Sequence, residues 1–408
     1  MRVPRLLREN VPFRRLWCSQ TVSIAGDHVG LVALPLVGVL ALHAGPAQMG
    51  LLTAAAWVPS LLLSLHAGAW VDRTGRPREA MIAADLGRAA LLATVPIAWA
   101  LGALTFAQLL AVAFGTGALG AVATVAYASV YASLVERELL VEAGTLVNGS
   151  RAGAAVAGPS VGGALVAALT APVALVADAV SFVASAWWLR RVTIRPLAPD
   201  APGGLGEGLR FVFGSAVVRP ILAATATLNF FSFAVLALYT LYATHALGVT
   251  PSELGLVLGI GAVGGLAGAA VTSRIVDRIG VGAAFAAGCV LYPLPMLLVP
   301  LAGGPHALVL AALLGEAVGA TFGVMVVDIS ASAILVVAVP NGLRARMTGA
   351  YQFVNYGVRP FGALAGGALG AAIGMRPTLV IAVAGAVASV LWLLPSPVLR
   401  LRELPETG

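Results

Sequence analysis

The feature that most constrains this chain is a succession of long apolar runs. Ala47 to Val71 contains no Asp, Glu, Lys or Arg, and Met81 to Leu101 contains only Asp85 and Arg88. A helix needs about 20 residues to cross the hydrocarbon core of a bilayer, and each run is about that long. Because the runs offer so little polar surface to water, we expect their solvent to be lipid.

Twelve such runs follow one another along the chain. They cover roughly residues 14–42, 47–71, 80–101, 105–134, 143–169, 172–190, 219–246, 252–275, 282–301, 306–338, 347–371 and 377–398. Hydrophobic residues make up 60% of the chain and charged residues 10%, whereas charged residues are roughly a quarter of an ordinary soluble domain. The sequence therefore predicts an all-α membrane protein with twelve transmembrane helices.

The arginines predict the orientation of these helices. All 24 basic residues are Arg, and 20 of them lie on alternate connections between the runs. Basic residues are enriched in cytoplasmic loops, so we predict that both termini are cytoplasmic. The net charge of +7 then follows from topology, and we predict no nucleic-acid partner.

A long polar connection, rich in Pro and Gly, divides the chain. We predict an N-terminal six-helix bundle over residues 1–190, a cytoplasmic linker over residues 191–218 and a C-terminal six-helix bundle over residues 219–408. In the linker, Leu209 and Val212 with Phe213 recur at helical spacing, which favours a short amphipathic helix at the membrane surface.

The two predicted bundles are related in sequence. The segment from Val71 to Gly75 matches the segment that begins 205 residues later, at Val276, and the motif Gly162-Gly163-Ala164-Leu165 recurs 204 residues later. Duplicated helical repeats are the usual basis of alternating-access transporters. The sequence therefore predicts two pseudo-symmetric bundles.

The charged turn after the second run resembles a known signature. Gly68, Asp72, Arg73, Gly75 and Arg76 have the spacing Gly-x-x-x-Asp-Arg-x-Gly-Arg, which is similar to the motif between the second and third helices of the major facilitator superfamily of secondary transporters. Other segments resemble the branch that contains the enterobactin exporter and macrolide-efflux proteins. The resemblance covers essentially the whole chain and implies the major facilitator fold in a bacterial cytoplasmic membrane, as a monomer.

The resemblance also implies a gating role for this turn. In the family, the Asp of the motif contacts the start of the eleventh helix and holds the cytoplasmic side shut, which is the role implied for Asp72. Asp277, Arg278 and Gly280 occupy the repeated copy of the motif and would act in the same way. The alternative is a turn that only establishes topology.

The fifth run carries a second family-like motif. Gly158, Pro159, Gly162 and Gly163 resemble the glycine-proline signature that antiporters of the superfamily carry in the fifth helix. Glycines allow close approach of helices, and a proline removes a helical hydrogen bond, so the motif is implied to bend the helix during transport. A plain packing interface of small residues is the alternative.

Charged groups at membrane depth predict the coupling sites, because a charge at the bilayer centre costs a few kcal/mol or more. Asp27 lies in the first run and Glu316 in the tenth, and we predict that both bind a proton or cation. Arg151 in the fifth run or Arg359 in the eleventh would supply the opposing charge, with Asn355 on the same helix face as Arg359. Static ion bridges between helices are the alternative.

The predicted activity is export of a small hydrophobic or amphipathic compound, such as a drug, antibiotic or siderophore-like molecule, by proton antiport. The partners are then substrate, protons and lipid, with no cofactor, metal or enzymatic activity.

Five aromatic residues of the seventh run predict an apolar cavity wall: Phe230, Phe231, Phe233, Tyr239 and Tyr242. Proton-coupled uptake of a metabolite and a non-transporting receptor are the alternatives, and the fourth run departs from drug:proton antiporters because it lacks an Arg.

Overall fold

The computed structural model of the chain describes residues 4–194, 205–340 and 343–401, and it leaves out the side chains of residues 5, 64–70, 72, 137, 205, 207, 208, 344 and 345. Within these ranges the regular structure is helical, with no strand. The predicted all-α membrane fold is confirmed.

In the described part of the chain, twelve helices follow the twelve predicted apolar runs. In the first half of the chain they are α1 (Val11–Leu36), α2 (Pro46–Thr74), α3 (Pro77–Ala100), α4 (Phe106–Leu134), α5 (Leu140–Ala168) and α6 (Ala171–Leu189). In the second half they are α7 (Val218–Leu241), α8 (Pro251–Ile279), α9 (Val281–Leu291), α10 (His306–Ala338), α11 (Arg344–Ile373) and α12 (Met375–Val387). Two of these continue in further helical turns, α9 as far as Leu301 and α12 as far as Leu393.

Ten of these segments are long and apolar enough to span a membrane by length and composition alone, as far as the described residues go. The other two are α5, with 29 residues, and α11, with 30 residues. Both are more polar because they carry the cationic and amide side chains described below. The predicted count of twelve crossings fits this arrangement.

The duplication in sequence is repeated in the secondary structure. Both ends of α2 and α8 are 205 residues apart, and α5 and α11 begin 204 residues apart. At the ends of α1 and α7, one turn of π-helix follows, over Val37–Ala41 and Tyr242–Ala246. The repeated sequence therefore encodes the same order of helices, down to an irregular turn.

Contacts divide the chain into two compact units. Unit 1 contains Met1–Ala44, Ala55–Pro202 and Thr250–Gly259, and unit 2 contains Gly45–Ala54, Gly203–Val249 and Ile260–Gly408. Inside unit 1, α6 packs against α1 and α3, and α5 packs against α1; inside unit 2, α11 and α12 pack against α7, and α9 packs against α10. These packed helix groups position the polar side chains of each unit.

The predicted linker is described only in part, because residues 195–204 lie outside the described ranges. A short helix, Leu205–Gly214, occupies its second part and packs against α11. Val212 of this helix is buried with Val218 and Met347, whereas Phe213 is 54% exposed. The division of the chain at residues 191–218 stays a prediction.

Candidate functional site

Unit 1 contains a cavity of about 560 Å³ lined by charged side chains. Its lining includes Asp27 from α1, Asp85 and Arg88 from α3, Arg151 from α5 and Asp178 from α6. The sequence analysis predicted a coupling role for Asp27 and Arg151 and made no such prediction for the other three. The structure instead brings all five to one cavity, because α6 packs between α1 and α3.

The partner of Asp27 is Arg88. The Nη2 of Arg88 forms an ion pair with Oδ1 of Asp27, and its guanidinium carbon lies 3.8 Å from the ring centroid of Phe182. A cation over an aromatic face is stabilised by the ring quadrupole. The structure thus pairs Asp27 with Arg88, which also lies inside an apolar run, and the opposing charge expected from Arg151 or Arg359 stays a prediction.

Arg151 lines the same cavity without a carboxylate partner. Arg151 is exposed, and it makes no ion pair among the described residues. Tyr127 lines the same cavity. A guanidinium with five fixed donors in a cavity is suited to binding an acceptor group of a substrate.

Two further acids of unit 1 are buried. Asp85 is 3% exposed, and its Oδ2 accepts a 2.6 Å hydrogen bond from Ser185. The hydroxyls of Ser185 and Ser19 are 2.8 Å apart, so a hydrogen-bonded chain joins α1, α6 and α3. Asp178 is 4% exposed and faces α1.

Unit 2 contains its own cavity, also about 560 Å³, with an amide and guanidinium network. Arg359 Nε donates a 2.8 Å hydrogen bond to Oδ1 of Asn229, and Asn229 Nδ2 donates a 3.0 Å hydrogen bond to Oδ1 of Asn355. The guanidinium carbon of Arg359 lies 4.1 Å from the ring centroid of Tyr356. The structure thus brings the predicted residues Arg359 and Asn355 together through Asn229, which the sequence reasoning missed.

The aromatic lining of this cavity comes only in part from α7. Of the five aromatic residues of α7, Phe233 lines the cavity, whereas Tyr239 and Tyr242 are buried and Phe231 packs against Gly385. The other aromatic lining residues come from α9 and α11: Tyr292, Tyr351 and Tyr356. Packing of α7 against α11 and α12 decides which face of α7 meets this cavity, and the predicted wall of five aromatic residues stays a prediction.

Glu316 lies away from the cavity lining, inside unit 2. It is 6% exposed, and its Oε2 accepts a 3.0 Å hydrogen bond from the hydroxyl of Tyr239. No ion pair to Glu316 occurs in the described part of the chain. An acid in this setting is held by a neutral donor, and burying an unpaired carboxylate is costly.

The glycine-proline motif of α5 packs closely against α1. A Cβ added at Gly158 would collide with the side chain of His28, and one at Gly162 would lie 3.1 Å from Cα of Val29. On another face of α5, a Cβ at Gly163 would lie 2.9 Å from Cα of Gly255. The packing interpretation is thus supported by direct contacts, while Pro159 sits inside a continuous helix.

The same packing occurs in the repeated copy. A Cβ at Gly362 of α11 would collide with the carbonyl oxygen of Phe230, and one at Gly366 would lie 2.6 Å from Cα of Ala234. Gly362 and Gly366 lie 204 residues after Gly158 and Gly162, and Ala234 lies 205 residues after Val29. The glycines are therefore placed where two helix backbones meet.

The predicted gating turn is shorter than its sequence pattern indicates. Helix α2 continues to Thr74, and Gly75 takes a left-handed conformation with φ of 60°; Gly280 ends α8 with φ of 86°. Such conformations favour glycine. Arg73, Arg76, Asp277 and Arg278 are exposed. Gly68 lies within α2, and the side chain of Asp72 lies outside the described positions.

A helical membrane protein built from a duplicated six-helix unit, with a charged cavity in each compact unit, is a secondary transporter of the major facilitator class. The chain belongs to this superfamily: residues 6–406 match the transmembrane secretion effector family. It is accordingly a multi-pass membrane transporter and not an enzyme.

Solved structures agree with this fold. The chain is similar to the nucleoside transporter NupG, with a TM-score of 0.76 and 11% identity over 94% of this chain and 99% of that one. It is also similar to a bacterial homologue of the iron transporter ferroportin in an inward-facing state, with a TM-score of 0.74 and 17% identity over 96% and 99% of the two chains. At these identities the likeness shows the fold alone.

Curated relatives lie closer in sequence. The multidrug efflux pump Tap of Mycobacterium tuberculosis is 28% identical over 391 residues, which is 88% of this chain and 86% of the pump. Tap of Mycolicibacterium fortuitum is 28% identical over 394 residues, covering 87% of this chain and 88% of that pump.

Proposed function

We propose that this protein exports a small hydrophobic or amphipathic compound, such as a drug, antibiotic or siderophore-like molecule, across the bacterial cytoplasmic membrane by proton antiport. The direction of transport is supported by near full-length similarity to the Tap multidrug efflux pumps. Alternating access is supported by the duplicated order of helices, since such repeats exchange access to a site between the two sides of a membrane.

The burial of Glu316 carries the proton-coupling part of the proposal. This carboxyl group is 6% exposed, receives one hydrogen bond from a neutral Tyr hydroxyl and has no ion-pair partner among the described residues. An ionised carboxylate in that position lacks compensation. Binding a proton removes the charge, so a change of exposure during transport would couple proton movement to substrate movement.

Substrate recognition is assigned to the polar groups of the two cavities. In unit 2, Arg359 with Asn229 and Asn355 offers hydrogen-bond donors beside the flat ring of Tyr356, and in unit 1 Arg151 does so beside Tyr127. Pockets that bind small molecules typically have volumes of roughly 300–1,000 Å³, and each cavity falls in that range. Asp27 contributes to the cavity of unit 1 through its ion pair with Arg88.

Gating is assigned to the repeated charged motif. The last turns of α2 and α8 contain Asp72 with Arg73 and Asp277 with Arg278, respectively. These ends of the two helices are predicted to lie on the cytoplasmic side. Charge contacts of surface groups are worth about 0–1 kcal/mol each, so several together bias the closed state without locking it. We propose that the transporter works as a monomer.

Everted membrane vesicles that contain the protein test this proposal. With an imposed acid-inside pH gradient, we expect ethidium to accumulate inside vesicles with wild-type protein, and nigericin, which collapses the gradient, to abolish that accumulation. Glu316→Gln is expected to lose the gradient-driven component at normal abundance, while the exposed Glu136→Gln is a matched control. Accumulation that is indifferent to the gradient argues against antiport, and gradient-driven loss of ethidium from the vesicles argues for uptake by the cell.

A further inference from the structure

Asp178 lines the cavity of unit 1, and it has no role in the proton antiport proposed above. It lies near the middle of α6 and is 4% exposed. Its Oδ1 is 3.5 Å from the hydroxyl of Ser181, but that hydroxyl has a closer acceptor, the backbone carbonyl of Asp178, at 2.7 Å. Its Oδ2 accepts no hydrogen bond from any described residue, although it faces the cavity of unit 1.

Two glycines of helix α1 leave space for the carboxyl group of Asp178. A Cβ added at Gly30 would collide with Oδ2 of Asp178, and one at Gly26 would lie 2.7 Å from its Oδ1 and collide with Ser181. Any side chain at these two positions of α1 would displace the acid. The absence of side chains there leaves a close-fitting place for a carboxyl group with little hydrogen bonding, which favours the form without charge.

The charges around Asp178 do not balance. Asp27 of α1 and Arg88 of α3 interact electrostatically with it, Asp85 of α3 and Arg151 of α5 line the same cavity, and His28 of α1 lies beside Asp27 with its side chain against Gly158 of α5. Arg88 is paired with Asp27, and its guanidinium rests on the ring of Phe182, one helical turn after Asp178. The Nε of Arg88 is buried without a hydrogen-bond partner in the described part of the chain. Arg88, the guanidinium that acts on Asp178, is thus already paired with Asp27.

We propose that Asp178 is a second proton-binding site of this transporter. Its carboxyl group holds a proton while Arg88 pairs with Asp27. When Arg88 turns about its contact with Phe182 towards Asp178, the O–H bond of Asp178 breaks and the proton passes to water in the cavity, leaving a carboxylate that pairs with Arg88. This proposal rests on the proton antiport proposed above and adds a coupling site in unit 1.

Infrared difference spectroscopy on the purified full-length protein in lipid nanodiscs tests the proposal without a substrate. After a jump from neutral to alkaline pH, wild-type protein is expected to lose carboxylic-acid C=O intensity from its buried acids, Glu316 among them, and one band of this signal is expected to come from the deprotonation of Asp178. Asp178→Asn is expected to abolish that band, whereas Asp178→Glu restores one at a shifted frequency. Glu136→Gln, which removes an exposed acid, leaves it unchanged. A band of wild-type size in Asp178→Asn would overturn the assignment.

Two further variants keep the test decisive if Asp178→Asn fails to fold. Asp178→Ser removes the acid with a smaller side chain, and Gly30→Ala keeps the acid but pushes a methyl group against its Oδ2. We expect the first to lack the band and the second to move its frequency. If Gly30→Ala is folded and leaves the band in place, the band does not belong to Asp178, and the proposal fails.

The vesicle assay separates this proposal from the proton antiport on which it rests. If wild-type protein shows no transport driven by a pH gradient, the antiport itself is wrong. If wild-type transport is gradient-driven and folded Asp178→Asn keeps the same dependence of ethidium transport on pH, Asp178 has no part in coupling, while the antiport stands. A flattened pH dependence in Asp178→Asn, recovered in Asp178→Glu, is the expected result.

Discussion

The hydroxyl of Tyr239 on α7 donates a 3.0 Å hydrogen bond to Oε2 of Glu316 on α10. Both side chains are buried, at 7% and 6% exposure. The contact joins two helices of unit 2 at an acid that we assign to proton coupling. It makes Tyr239 a positioning residue for Glu316, and this role has a measurable consequence.

Tyr239→Phe is expected to move the pH dependence of transport. The hydroxyl stabilises the charged carboxylate, and a donor to the charged form favours that form. Its removal therefore favours protonated Glu316, and the midpoint of gradient-driven ethidium transport should move to higher pH at unchanged abundance. Tyr242→Phe is the matched control, because Tyr242 is buried nearby with no side-chain hydrogen bond among the described residues. An unmoved midpoint would show that Tyr239 only fills space.

Asp27→Asn is expected to lower the abundance of folded protein more than the double variant Asp27→Asn with Arg88→Met. The single change leaves Arg88, whose side chain is 14% exposed, without its ion-pair partner, and an uncompensated buried charge is destabilising. The double change removes that charge and restores stability but not transport. Fluorescence-detected size-exclusion chromatography gives the abundance. Equal abundance of the two variants would show that the ion pair contributes nothing to folding.

Arg359→Lys is expected to reduce transport at least tenfold while folding normally. Lys keeps the charge but cannot both stack on Tyr356 and donate a fork of hydrogen bonds, which is a property of the planar guanidinium. The network through Asn229 to Asn355 would lose the donor Nε of Arg359. Arg274→Lys, at an exposed position of α8, is the matched control. If Arg359→Lys transports at the wild-type rate, transport requires only the positive charge at this position and not the planar guanidinium.

Gly362→Ala is expected to destabilise the protein, whereas Gly349→Ala in the same helix is tolerated. A methyl group at Gly362 would collide with the backbone of Phe230, while nothing lies within 4 Å of the corresponding position at Gly349. Overpacking typically costs about 1–3 kcal/mol, and Ala otherwise favours a helix over Gly by about 1 kcal/mol. Thermal-stability curves in detergent compare the two variants. A melting temperature for Gly362→Ala at or above that of Gly349→Ala would contradict close packing of α11 on α7.

Gly75→Val is expected to lower abundance, and Gly75→Asn is expected to remain near the wild-type level. Gly75 has φ of 60° with no atom within 4 Å of an added Cβ, so conformation and not space limits the side chain. Asn is tolerated in the left-handed region, whereas a β-branched residue there is an outlier. Quantitative immunoblotting of membranes measures both variants. Equal loss in both would indicate that the position is occupied by another group during gating.

Much of the fold was predictable from local patterns. Apolar runs of about 20 residues mark the helices wherever lipid is the solvent. The helix bounds agree with those runs to within several residues, except that α9 and α12 end well before their runs do and continue as irregular helical turns. The duplication was also readable, because matched motifs lie at one offset. Membrane-depth charges such as Asp27 and Glu316 stand out in any apolar run.

The partners of those charges were decided by tertiary structure. Asp27 meets Arg88 across 61 residues of sequence, Tyr239 meets Glu316 across 77, and Asn229 meets Arg359 across 130. Helical periodicity says which residues share a face, but rotation of a helix about its axis is set by its neighbours. For that reason the sequence alone determined where the helices run and which residues are costly to bury, whereas only the packing of α6 between α1 and α3 decided that Asp178 faces a cavity.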